Sequence, residues 1–371
     1  MRTTTARTFN AMEAPVRELA SEARLNLRHL PDYMDSIADR LQSFEAETST
    51  DGQRIDFRFT FGDASFDMER LVMRANATDR DGLARVKDLL ATAVEVYAKA
   101  ENPEIVWTGD LSGETSLAQF REMTVTEVRH LTPHMRRVRL AGANLHRFAK
   151  FGGMHIRMLF PTKHVPDPLW PVLGANGLPV WPADDRKPVA RVYTIRALDV
   201  AKGIIDVDFL VHPGESVGAA WAMQAAPGMK IGIMGPVGRP VRQAEWYVMG
   251  ADETGLPALA RMLETLPAQT RGLAFVEIAD QREKQQIDNA TGIELHWLTR
   301  NGVPAGGDRL LAETVRSVTW PRGASTFGWF AAEAAAAKVV REHWRSTLGL
   351  GRDETLAAAY WRRGAAGLMA G

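Results

Sequence analysis

The feature that narrows this chain most is a change of rhythm near Pro240. From about Phe120 to Pro240, Gly and Pro cut the sequence into short β-branched or alternating segments: VTEVRHLTPHMRRVRLAG, MHIRMLFP, ARVYTIRAL, GIIDVDFLVH and MKIGIMGP. Segments of that kind predict an antiparallel barrel. After Pro240, WYVMG, GLAFVEIAD, IELHWLTR and STFGWFAAE read as strands, LPALARMLETL and AAAAKVVREHWRSTLG as helices, and LAAAYWRRG as a last short segment. Strands alternating with helices predict a parallel α/β domain. One interruption of the barrel region, PTKHVPDPLWPVLGANGLPVWPADDRKP, is dense in Pro and is expected to be a loop, either mobile or covering a site.

Upstream lies a small α+β module. A polar, helix-favouring lead ends near Ala23, and Met34, Ile37, Ala38, Leu41 and Phe44 recur at helical spacing over 31–44. In RIDFRFTFG, Ile55, Phe57, Phe59 and Phe61 alternate with polar residues as in a half-buried strand. DMERLVMRANA supplies a partner strand, GLARVKDLLATAVEVYAKA an amphipathic helix and EIVW a closing strand, with TGDLSGETS (108–116) as linker. A chain of 371 residues exceeds one compact core. The expected domains are 1–110, 120–240 and 241–371.

Composition removes several classes of chemistry. The chain has no Cys, which excludes disulfides, thiolate-held iron–sulfur clusters, c-type haem and a cysteine nucleophile. Redox work would need a bound organic cofactor or a metal held by N and O ligands. The nine His form no ligand set, and His130 and His134 read as unrelated surface residues on a segment broken by Pro133, so no metal site is expected. Lys plus Arg and Asp plus Glu number 45 each, which gives no general attraction to nucleic acid or anionic lipid. The N-terminal lead lacks a signal-peptide core and no segment is apolar for long enough to span a bilayer, so a cytoplasmic protein without membrane insertion is expected.

Three segments carry candidate chemistry. In RVYTIR, Arg191, Tyr193 and Thr194 stand on one strand at a spacing that resembles the flavin motif of ferredoxin-reductase-like enzymes. A guanidinium suits a pyrophosphate, a tyrosine ring can lie against isoalloxazine, and a hydroxyl can meet the ring edge. An ordinary amphipathic strand would read the same way. Next, Val211 and His212 end a strand, and after a turn Gly218, Ala219, Ala220 and Trp221 open a helix whose small residues and N–H groups suit a phosphate. A core Trp and a satisfied strand-end His are the plainer alternative. In WYVMGADETGLPAL, Asp252, Glu253 and Thr254 form a loop between strand and helix, with Pro257 near the first turn and no G-x-G-x-x-G. A plain helix start with Thr254 as N-cap is the alternative reading, and both can hold together.

In this order, RVYTIR, DFLVH, GADETGLPAL, WFAAEAAAAKVVREHWRSTLGL and YWRRG resemble successive landmarks of the siderophore-interacting protein family, and MHIRMLFP resembles its barrel strand with a His followed by a basic residue. The resemblance runs from Glu122 to Gly364. It implies an FAD-binding β-barrel joined to a nicotinamide-binding domain, with a ferric siderophore as electron acceptor. Arg191, Tyr193, Thr194, His212, Asp252, Glu253 and Thr254 match the family's cofactor positions, and Tyr193 and Thr194, beside the ring, are the candidate catalytic pair. Ser216, Val217, Gly218, Ala219, Ala220 and Trp221 stand where Gly-Pro-Ala-Ser-Arg-Trp is usual, so phosphate contacts there would come from the backbone. Gly255 replaces a common Ala. The first module resembles a small uncharacterised domain that occurs alone or fused to such reductases.

The resemblance thus implies an FAD-dependent NAD(P)H oxidoreductase that reduces ferric siderophores and releases ferrous iron. Reduction from hard ferric to softer ferrous iron weakens the hold of anionic oxygen ligands. A basic wall is expected for the anionic chelate, with Arg157, Lys163, Arg362 and Arg363 as candidates and Arg186 and Lys187 beside them. For NAD(P), Asp280 suits a ribose hydroxyl while Arg282 and Lys284, with Arg300 as a further cation, suit a 2′-phosphate and favour NADPH over NADH; a solvated turn explains these four equally well, and Glu333 is another candidate. Ferredoxin is an alternative donor. Two other readings are a flavin reductase of the same fold acting on a quinone or ferric chelate, and a siderophore-binding iron-trafficking protein without turnover.

Overall fold

A computed structural model describes residues 18–162, 168–211, 216–238, 241–307 and 309–365. The chain divides into two units, one of 1–118 with 171–181 and one of 119–170 with 182–371.

The first unit holds β1 (Leu19–Leu25), α1 (Leu30–Gln42), β2 (Glu47–Thr50), β3 (Arg54–Phe59), β4 (Gly62–Asp67), β5 (Val72–Ala77), α2 (Arg80–Tyr97) and β6 (Ile105–Gly109). Its six strands pair antiparallel in the order β2-β3-β4-β5-β1-β6. Helix α2 packs on the sheet and α1 on α2. The helix over 31–44 appears as α1, burying Met34, Ile37 and Leu41, and α2 starts where the Asp79 carboxylate accepts from the Gly82 amide at 2.9 Å.

The lead is a correction. LASEARL is helix-favouring by composition, yet it forms β1, with Ser21, Ala23 and Leu25 buried and β5 and β6 on either side. Pairing on both edges with alternate burial outweighs a weak local preference. The stretch expected as linker is held in place too. The Leu111 carbonyl accepts from Lys87 Nζ at 3.1 Å and Glu114 pairs with Arg80 at 2.6 Å.

The second unit begins with β7 (Phe120–His130), β8 (Met135–Ala141), α3 (His146–Lys150) and β9 (His155–Phe160). The Pro-dense segment that follows contains a short hairpin, β10 (Val172–Leu173) with β11 (Pro179–Val180), which belongs to the first unit. There the Asn176 carbonyl accepts from Trp107 Nε1 at 3.1 Å and Leu178 packs on the core. Back in the second unit come β12 (Val189–Thr194), β13 (Ala197–Asp199), β14 (Ile204–Leu210), α4 (Val217–Gln224) and β15 (Lys230–Val237). The seven-stranded sheet runs β12-β9-β15-β7-β8-β14-β13, every pair antiparallel. It curls on itself, since Tyr193 of β12 meets Phe209 of β14 with ring centroids 4.5 Å apart.

The rest alternates as β16 (Trp246–Ala251), α5 (Leu256–Thr265), β17 (Arg271–Ile278), β18 (Gly292–Thr299), α6 (Leu310–Arg316), β19 (Thr326–Glu333), α7 (Ala334–Glu342) and β20 (Thr355–Trp361). These five strands are parallel in the order β18-β17-β16-β19-β20. Central strands buried on both faces are the mark of a doubly wound sheet. In β16, Tyr247 and Met249 pack on the side of α5, and Val248 on the side of α6 and α7. The order reverses between β16 and β19, where open parallel sheets form a ligand crevice beyond their strand ends. Among the described residues no helix is long and apolar enough to cross a membrane.

The β1 assignment is testable by denaturation. Leu25→Ala, at a buried position of a central strand, should cost about 2–5 kcal/mol, whereas Ala at exposed Arg24 should stay within about 0.5 kcal/mol.

Candidate functional site

On the antiparallel side, β12 places Arg191 and Tyr193 on one face of the strand. Arg191 is half-buried and donates through Nη1 to the Ala190 carbonyl at 2.8 Å. The half-buried Tyr193 ring leans on Phe209 and meets Phe160 edge-on at 6.0 Å, while Trp221 lies 5.6 Å from both phenylalanines. Burial pushes the Tyr193 phenol above its usual range, with Arg191 acting in the opposite sense. The phenol stays protonated. Its hydroxyl sits against the first turn of α4, where a Cβ on Gly218 would overlap it. A side chain at 218 would require the Tyr193 ring or the helix start to shift.

Helix α4 opens after Ser216 without a side-chain cap, and its first backbone bond is Ala220 N–H to the Ser216 carbonyl at 2.9 Å. The amides of the opening turn have no intrahelical acceptor and can meet an anion. Gly218, Ala219 and Trp221 therefore gather beside Tyr193, while buried Thr194 continues β12. Val211 is buried and donates its amide to the His134 carbonyl at 2.8 Å. His212 and Lys163 lie outside the described residues.

On the parallel side, the loop after β16 is closed on itself. One Asp252 oxygen accepts from the Thr254 amide at 2.9 Å, the Thr254 hydroxyl at 2.5 Å and the Gly255 amide at 3.3 Å; the other accepts from Trp361 Nε1 at 2.6 Å. Burial raises the Asp252 carboxyl above its ordinary range while these hydrogen bonds pull it down. Thr254 is not the N-cap of α5. That position is Gly255, and the Asp252 carboxylate binds the turn, leaving the Thr254 hydroxyl as a donor to it.

Arg300 requires a second correction. It was expected as a cation facing a 2′-phosphate, but it is 7% exposed and makes two bonds to Glu253, at 2.6 and 2.8 Å, and one to Glu277 at 3.3 Å. Two buried carboxylates need a counter-charge, and Arg300 supplies it. Glu253 is thereby engaged as well. Exposed Arg282 forms a two-bond pair with Asp280 at 2.7 and 3.0 Å, which holds the Asp280 carboxyl down at about 2. Glu333 caps α7 through the Ala335 amide at 2.5 Å and accepts from the Arg363 amide at 3.2 Å. Arg362 and Arg363 are exposed just past β20, and Arg157 is exposed on β9. Asp252, Glu333, Trp361 and Arg363 thus share the switch-point end of the sheet, whereas Asp280 and Arg282 follow β17.

Polar bridges tie the two sheets. Arg196, two residues past Thr194, binds Glu264 of α5 at 2.7 and 2.5 Å, and Arg261 donates to the Ile195 carbonyl at 2.8 Å. Buried Glu283 accepts from the Thr132 hydroxyl at 2.5 Å and lies 2.7 Å from His134 Nδ1, so His134 is a bridging residue, unlike the unrelated surface group expected. His155 Nε2 lies 2.6 Å from the Tyr360 hydroxyl. These bridges, and the aromatic partners Phe160 and Phe209, were not singled out from the sequence; only the MHIR and YWRRG segments hinted at their places.

An antiparallel curled sheet with an anion-competent helix start, tied to a doubly wound parallel sheet at its switch point, defines the ferredoxin-reductase type of arrangement. Residues 124–240 match the sequence model described as the siderophore-interacting FAD-binding domain, and residues 244–364 match that of the siderophore-interacting protein. Ferric vibriobactin reductase ViuB of Vibrio cholerae is 29% identical over 262 residues, covering 68% of this chain and 93% of that protein. The NADPH-dependent ferric-chelate reductase of Escherichia coli is 33% identical over 193 residues, covering 49% and 72%. A siderophore utilization protein from T. fusca superposes with a TM-score of 0.57 at 32% identity, covering 69% of this chain and 98% of that one. The chain belongs to the siderophore-interacting protein family.

Two outcomes follow from the site's electrostatics. Arg300→Leu would take from buried Glu253 its two-bond partner and should lower stability by about 3–5 kcal/mol in chemical denaturation. His155 is held down at about 4 by burial, with Arg261 adding to it, against 6.5 when unperturbed. Between those values the unfolded chain binds the extra proton, so acidification from pH 6.5 to 4 removes stability. His155→Gln should flatten that part of the stability–pH curve relative to wild type, read from urea melts across the window.

Proposed function

We propose that this chain is an FAD-dependent NAD(P)H oxidoreductase that reduces ferric siderophores and releases ferrous iron, with the flavin held by residues 120–240 and the nicotinamide by 241–371. The observation that carries the reading is the Tyr193–Gly218 contact. A half-exposed aromatic ring, a neighbouring guanidinium and a glycine-opened helix start occupy one place, and each fits a different part of FAD. Arg191 would hold the pyrophosphate, the α4 amides of Gly218 and Ala219 a phosphate, and Tyr193 and Thr194 the ring.

FAD, when bound, supplies the link between a two-electron hydride donor and a one-electron ferric acceptor. The chain's own residues do the rest. Tyr193 stays neutral and presents an aromatic surface, the Phe160–Phe209–Trp221 group backs it, and the Arg196–Glu264 pair brings the end of β12 to α5. Exposed Arg157, Arg362 and Arg363, with Lys163, would draw an anionic ferric chelate toward the site. NADPH is the proposed donor, by the name of the Escherichia coli relative and because Arg282 is an exposed cation after β17, although Asp280 competes for it. The reaction is placed in the cytoplasm, where reduced nicotinamide is available.

The test is anaerobic. Flavin absorbance should bleach when FAD-loaded protein meets NADPH, and return when a ferric siderophore is added, with ferrous iron trapped by a chelator. Reduction by ferredoxin alone would move the donor assignment, faster turnover of a quinone would move the acceptor, and protein that never binds FAD would overturn the reading. Arg191→Ala should lower flavin occupancy after gel filtration several-fold, the loss of a charge-assisted contact; unchanged occupancy would remove Arg191 from the site.

A further inference from the structure

The last strand of the parallel sheet carries an irregularity where it reaches the site. Ala332 lies opposite Ala359 and Glu333 opposite Trp361, so the β19–β20 register skips Tyr360. A bulge of this kind bends its strand and re-aims the side chains beside it.

Those side chains point to two different partners. The Tyr360 hydroxyl lies 2.6 Å from His155 Nε2, and its ring stands edge-on to the imidazole with centroids 5.5 Å apart at 86°. His155 is the direct cross-strand neighbour of Thr194 on β12. Trp361 donates Nε1 to Asp252 at 2.6 Å, and the Asp252 carboxylate gathers the amides of Thr254 and Gly255. Adjacent residues of one strand therefore grip β9, at the residue paired with Thr194 of β12, and the loop at the switch point. Packing alone does not explain the polar atoms. Phenylalanine would fill the Tyr360 site, since the edge-on contact of Tyr360 with Trp329 at 6.5 Å uses only the ring.

We infer that Tyr360 and Trp361 are positioning residues which lock the 252–255 turn to β12 through His155, and so set how a nicotinamide on that turn approaches a flavin on that strand. The inference deepens the function proposed above and depends on it. The bulge makes it possible: in an unbroken strand, neighbouring side chains would point to opposite faces and one residue would miss its partner.

The test uses full-length, FAD-loaded protein with Tyr360→Phe, Trp361→Phe, His155→Gln and the Tyr360→Phe/His155→Gln pair. Hydrogen–deuterium exchange at Thr254 and Gly255 should quicken roughly tenfold in Trp361→Phe, as the loss of one hydrogen bond predicts. In anaerobic stopped-flow mixing with NADPH, the limiting rate of flavin reduction should fall roughly tenfold in each phenylalanine variant. The half-saturating NADPH concentration and the flavin content should stay near wild type. The double variant should be no slower than its slower parent, since both changes cut one link. Limiting rates equal to wild type, a fall that only tracks lost flavin, or additive losses in the double variant would overturn the inference. A wild-type protein whose flavin no nicotinamide reduces would instead overturn the proposed function, and exchange at the 252–255 turn would then decide the positioning role by itself, unchanged exchange defeating it.

Discussion

Tyr193 reaches so close to the first turn of α4 that its hydroxyl takes the space a Cβ at position 218 would need. Much of the candidate site depends on this approach. It brings a strand and a helix start together, with Phe160, Phe209 and Trp221 packed behind the ring. Burial keeps the phenol neutral, so the place offers an aromatic surface beside a cation and unpaired amides. A side chain at 218 would make either the Tyr193 ring or the α4 turn shift.

Beside the apolar contact of Met154 with the core of the parallel sheet, the junction between the two sheets is bridged by polar groups. Arg196 with Glu264, Glu283 with Thr132 and His134, and His155 with Tyr360 cross it. Each such bond has a narrow range of length and direction, so together they define one relative placement of the sheets more sharply than apolar contact would. The same economy governs the far end of the parallel sheet. Glu253 and Glu277 share Arg300, and Asp252 takes four donors, so charges that look available in the sequence are largely spoken for.

The two sheet types and their order were legible because each leaves a local trace: short Gly- and Pro-bounded runs before Pro240, alternating strands and helices after it. The Arg191–Tyr193–Thr194 strand was legible for the same reason. β1 was not, since LASEARL favours a helix by composition and becomes a strand only by pairing with segments about 50 and 85 residues away. Thr254 was misread as a cap because Ser, Thr and Asp all suit helix starts, and only coordinates say which oxygen faces which amide. Arg300 was misread because a strand-end arginine looks exposed until its acidic partners are found on neighbouring strands.

By itself the sequence determined the kind of protein: its sheets, the absence of cysteine chemistry and the family. These follow from periodicity and residue type, which are properties of neighbouring positions. The tertiary structure decided which charges are free and which are paired, that the Tyr193 hydroxyl lies against Gly218, and that His155 meets a tyrosine 205 residues away. Such contacts depend on where distant strands end after the sheets have packed, and no short window of residues carries that distance.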